Sequence, residues 1–175
     1  MKNYLLISLS ALLFVVSQAN LAIMLSQLHP SIFSLQLAFT SESFWHVINV
    51  WGAPGLEIYR AHFVFDNVHP FIYGVFGFML VSRTTLFSGV GPWVYRVILL
   101  LLPIAGLFDL IENAAHIYLL GQPQGIQSVI VPFSGTCSLL KWILASIFAL
   151  LVIIQVSRNI WSNPAFKRVA LKRAP

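Results

Sequence analysis

An all-α, polytopic membrane protein built as a four-helix transmembrane bundle is the fold class this sequence predicts, and three observations predict it. Hydrophobic residues make up 58% of the 175 residues and charged residues 9%, against about 45–50% and about 25% in soluble domains. Mean hydropathy is +0.85. Four separate apolar stretches approach or exceed the roughly 20 residues a helix needs to cross hydrocarbon about 30 Å thick. Ten Lys and Arg with five Asp and Glu cannot keep a soluble surface of this size wet. A disordered chain is therefore excluded, the composition argues strongly against a soluble globular domain, and the whole of 1–175 reads as a single integral membrane domain.

The first span is expected over about 4–25. Lys2, the apolar run and Ser17-Gln18-Ala19 also fit a secretory signal with a cleavage site. The run resumes at Leu21-Ala22-Ile23-Met24-Leu25 and reaches spanning length, which favours a retained helix. The second span is expected over about 61–81, the third over 94–120 and the fourth over 130–156, with a basic tail over 157–175. A helix satisfies its own backbone in lipid, so each lone stretch reads as one.

In the connection between the first two spans, Phe44, Trp45, Val47, Ile48 and Trp51 form an aromatic stretch that Gly52-Ala53-Pro54-Gly55 breaks. This predicts a short helix at the outer interface, where tryptophan rings favour the headgroup level. A loop packed on the bundle top is the equal alternative. Either would roof a cavity below, which makes Trp45 and Trp51 candidates for touching a substrate.

Basic residues set the direction. Lys2, Arg83, Arg96, Arg158, Lys167, Arg168, Lys172 and Arg173 agree on both termini and the middle loop being cytoplasmic. Arg60 and Lys141 are the exceptions. The net charge of +5 is then mostly a tail beside anionic lipid headgroups. No aromatic-basic interleaving points to nucleic acid. Cys137 is the one cysteine, which excludes an intrachain disulfide and a multi-cysteine metal site.

The five acids are Glu42, Glu57, Asp66, Asp109 and Glu112, and the last three fall inside expected spans, as does Lys141. A charge at mid-bilayer costs about 2.5–3.5 kcal/mol on insertion scales, so such groups face a protein interior and have partners. Asp109, Glu112, Asn113 and His116 follow i, i+3, i+4, i+7 spacing and share one face of the third span. Asp66, His69 and Tyr73 share a face of the second. Pro70 lacks an N–H and frees the Asp66 carbonyl. His62 lies a turn earlier, close to the outer surface.

Matching depths along the helices predicts one polar pocket, open or nearly open to the outer face. Asp66, His69 and Tyr73 meet Glu112, Asn113 and His116, while Lys141 meets Asp109 and Glu112. Thr136 and Ser138 lie above the lysine. Pro103 is expected to kink the third span and widen the pocket. Gly74 and Gly77 allow close backbone approach, and Ala145 with Ala149 does the same on the fourth span.

Four uses of these groups compete. A buried network can simply hold helices in register, at about 0.6 kcal/mol per interhelical hydrogen bond. No cofactor is called for, although one divalent cation such as Zn²⁺ would fit His69, His116 and one carboxylate. An ion pathway needs polar groups across the whole thickness, and the inner halves of the spans are dry. Acid–base chemistry fits best: an apolar pocket favours the protonated acid, which can pass its proton to a lipid-soluble substrate.

The outline of four spans, a long first outer loop, intramembrane acids and a basic tail is similar to the four-helix sterol isomerase and sigma-2 receptor group. That resemblance covers architecture and transfers no residue roles. The expectation is a membrane-embedded isomerase, cyclase or hydrolase whose site is Asp109, Glu112, Asp66, His69, His116 and Lys141, with Asn113, Tyr73, Trp45 and Trp51 touching substrate. The alternative is a non-catalytic lipid-binding or assembly protein, and a metal-dependent enzyme is third. Partners are membrane lipid and a hydrophobic small molecule, with a homo-oligomer compatible.

Overall fold

The computed structural model describes residues 2–162, so Lys167, Arg168, Lys172 and Arg173 of the expected tail lie outside the described residues. The chain is 82% helix, with no strand among the described residues. The elements are α1 (Lys2–Leu25), α2 (Ile32–Gln36), α3 (Ser41–Asp66), α4 (His69–Arg83), α5 (Pro92–Leu120) and α6 (Ile130–Ser162). Three of them, α1, α5 and α6, are long and apolar enough to cross a membrane; α3 and α4 together make a fourth if that bent pair is one span. Leu12, Ile23, Leu107 and Ile153 are each at least 60% exposed. An outer surface this apolar suits acyl chains and not water.

The helix starting at Ser41 is capped by Thr40, whose hydroxyl accepts from the Ser43 amide at 3.2 Å. It breaks at Gly52, where φ is 61° and ψ is −167°. Glycine alone takes that conformation cheaply. Pro54 then stands in the first turn of the resumed helix, where a missing N–H does no harm. The aromatic stretch is thus helical as expected, but it is core: Phe44, Trp45, Val47, Ile48 and Trp51 are all buried. Its indole edges reach backbone carbonyls, with Trp45 Nε1 donating to Ile126 O at 3.0 Å and Trp51 Nε1 to Pro30 O at 2.7 Å.

One expected helix over 61–81 is two. The chain leaves α3 at Asp66, turns through Asn67 and Val68, and re-enters at His69 with a bend of 40°. Pro70 is the physical reason, since it cannot donate to the Asp66 carbonyl and sits well in a first turn. Pro103 behaves differently. α5 runs through it as one helix, and Gly74 of α4 lies on its backbone; the space beside Pro103 is a groove along α4 and α5 and not a widening of the polar layer.

The long helices pack in the order α1–α4–α5–α6, with α1 and α6 not extensively packed on each other. α3 lies against one end of this row. Two apolar cores result. One joins α2 and α3 to Leu119 and Val131; the other joins Tyr73, Val81, Leu102 and Phe148. A single antiparallel register of α5 on α6 takes Leu119 to Val131 in the first core and Leu102 to Phe148 in the second. Midway between them it brings Asp109 to Lys141.

Close helix contact depends on missing side chains. A Cβ on Gly77 would lie 2.6 Å from Leu102 Cδ1 and 2.8 Å from its Cβ. The second atom is fixed by the α5 backbone. Gly77→Val should therefore push α4 from α5 and cost about 1–3 kcal/mol. A lower thermal midpoint in detergent, with exposed Val75→Ala unchanged, is the expected result; an unchanged midpoint for Gly77→Val would refute this register.

Candidate functional site

A polar layer lies between the two apolar cores. Asp109 and Glu112 come from α5 and Lys141 from α6, and all three are buried. The lysine Nζ donates to Asp109 Oδ1 at 2.6 Å and forms an ion pair with Glu112 Oε2 at 2.7 Å. Tyr73 on α4 donates its hydroxyl to Asp109 Oδ2 at 3.1 Å. Both oxygens of Asp109 are thus engaged.

Glu112 differs. Its Oε1 has no hydrogen-bond partner, and Oε2 has the ammonium alone. Ser138 stands beside the carboxyl, but its hydroxyl donates to the Ser134 carbonyl at 3.1 Å. One turn along α5, His116 Nδ1 shares a hydrogen bond of 2.6 Å with Tyr59 OH, and Nε2 has no partner. In either tautomer, a donor or an acceptor is left over. Glu112 and His116 are i, i+4, so their side chains are neighbours on one helix face. Unpaired buried polar groups cost about 1–3 kcal/mol each.

A second group lies along the α3–α4 break. His62 contacts the Tyr59 carbonyl through Nδ1, and its Nε2 is 3.7 Å from Asp66 Oδ2. His62 is 1% exposed. Asn113 donates to Asn67 Oδ1 at 3.3 Å, which ties α5 to the break. His69 turns the other way. Its Nδ1 accepts from Ser17 Oγ at 2.8 Å and its Nε2 donates to Gln18 Oε1 at 3.1 Å, a consistent single tautomer. His69 is thus an anchor for α1.

The expected common face of Asp66, His69 and Tyr73 is accordingly split three ways by the bend: to His62, to α1 and to Asp109. Asp66 remains within electrostatic reach of Asp109 and His69. The pocket open to the outer face is also corrected. Phe44 is 0% exposed and packs on the His116 ring at 5.4 Å, so α3 closes that end. Trp45 and Trp51 belong to this roof. Thr136 is exposed and bonded to Pro132 O, off the layer, whereas Ser138 is in it.

The single-cation arrangement does not form. His69 and His116 have separate partners, and no group of three or more His, Cys, Asp or Glu among the described residues could hold a metal ion. Two cavities lie elsewhere: one of about 350 Å³ along α4 and α5, and one of about 340 Å³ at Trp45, His46 and Asn49. Tyr59 and Asn67 contact the layer's His116 and Asn113, and Ser17 and Gln18 hold His69 to α1; spacing singles out none of the four. Comparison with family models, curated proteins and solved structures gives no match, so these residues themselves carry the functional argument.

Proposed function

We propose that the chain is a multi-pass integral membrane protein with both termini cytoplasmic, and that the polar layer is an acid–base site for a hydrophobic substrate. Arg83, Arg96 and Arg158 mark one end of the helix row, which supports the orientation. One observation carries the catalytic reading. Glu112 Oε1 and His116 Nε2 are fully buried, adjacent on α5 and without hydrogen-bond partners. A network built for packing alone would avoid that cost. One ammonium balances one carboxylate, so the Asp109–Glu112–Lys141 triad has room for one transferable proton. Glu112 is the proton donor, His116 its neighbouring acceptor, and Asp109 with Lys141 and Tyr73 the fixed frame. Isomerisation, cyclisation or hydrolysis of a lipid-like molecule fits such a pair.

A second reading has its own support. Asp109 is saturated, and neither cavity opens on the layer, which favours a non-catalytic role in pairing helices or holding a lipid. Lipid extracts from membranes with and without the full chain separate the two. The enzyme predicts one hydrophobic species depleted and a related one raised, equal in mass for isomerisation or cyclisation; for hydrolysis two fragments rise whose masses sum to that of the depleted species plus one water. Identical extracts would remove the enzyme and leave the second reading.

A further inference from the structure

The α4–α5 cavity is an open groove whose walls include Phe71, Val75, Phe78 and Leu107, with Ser82 and Arg83 at one end. Ser82 Oγ is buried and has no hydrogen-bond partner. Arg83 is exposed and has no ion pair among the described residues. Arg96 is exposed and does not line the groove, but it lies seven residues before the groove-lining Pro103, on the same stripe of α5 and towards the Arg83 end. All five acids of the chain lie in the other half; Asp109 is about 20 Å along α5 from Arg96. Among the described residues, no Asp or Glu pairs with an arginine at this end.

We infer that the groove binds one acyl chain of an anionic phospholipid, with the phosphate held by Arg83, Arg96 and the Ser82 hydroxyl. The chemistry is complementary at both ends of such a molecule. Guanidinium forks match phosphate oxygens, and basic recesses between membrane helices favour anionic headgroups. From Pro70 to Arg83 the groove runs about 20 Å along α4, enough to take a chain through a leaflet whose hydrocarbon is about 15 Å deep. This site shares no residue with the ion-paired layer and does not rest on the acid–base reading.

The test uses the full chain in vesicles of equal phosphatidylglycerol and phosphatidylcholine, followed by native mass spectrometry of the lipid retained. Wild type should retain phosphatidylglycerol in preference. Arg83→Gln and Arg96→Gln should each cut the preference about five-fold, and the double variant should approach parity. Arg83→Lys should keep part of it, since charge survives but the fork does not. Val75→Trp fills the groove with both arginines intact and should lose the bound lipid. Excess inorganic phosphate should displace nothing. Equal retention of the two lipids by wild type, an undiminished preference in the double variant, or displacement by inorganic phosphate would overturn the inference. If the double variant fails to fold, the single variants and Val75→Trp decide.

Discussion

Lys141→Met is expected to be the most damaging single substitution in the chain, costing about 3–5 kcal/mol of stability. The lysine is 6% exposed and is the one cation touching Asp109 and Glu112, at 2.6 and 2.7 Å. Methionine fills much of the same volume, so packing loss is minor. What remains is two carboxyls beside each other with no counter-charge, in a layer sealed by apolar cores on both sides. The measurement is the thermal midpoint of protein purified in one detergent, with the yield of folded material beside it. Lys141→Met combined with Asp109→Asn and Glu112→Gln should recover most of the loss, because a neutral layer has no stranded charge. A single variant as stable as wild type would mean the ion pairs do not hold α5 to α6.

The polar face of α5 could be read from spacing alone, and Lys141 found from its position at matching depth. Both follow from one rule: charges inside apolar spans must find each other. The long helices α1, α5 and α6 were equally readable, since length and apolarity define them. The α3–α4 bend was half visible. Pro70 announces a lost hydrogen bond, but whether the helix bends or breaks depends on the neighbours that take up the slack. Once it turns, Asp66 and His69 no longer point the same way, and spacing misassigns both. Ser17, Gln18 and Tyr59 carried no signal, because serine, glutamine and tyrosine are unremarkable until a histidine faces them. The tryptophans left two readings open for a related reason: an amphipathic ring suits a headgroup layer and a roofed core alike.

Glu112→Gln is expected to separate function from fold. Glutamine keeps the shape of the side chain and leaves the Lys141–Asp109 pair and the Tyr73 hydrogen bond in place. Stability should fall less than for Asp109→Asn, because the substitution weakens one contact, the Oε2–Lys141 ion pair, while Oε1 has no partner to lose. The amide cannot deliver a proton, so turnover should fall by about 10²–10⁴. Asp109→Asn should do the reverse at the level of the fold. It weakens charge-assisted hydrogen bonds to both Lys141 and Tyr73, each worth about 1.5–3 kcal/mol, and the midpoint should drop before activity per folded molecule is considered. Thermal midpoint and the lipid ratio in membranes, measured on the same preparations, give the comparison. If Glu112→Gln retains the wild-type lipid ratio while remaining folded, Glu112 is not the proton donor. If it unfolds as readily as Asp109→Asn, the two carboxyls are equivalent struts and the layer serves packing.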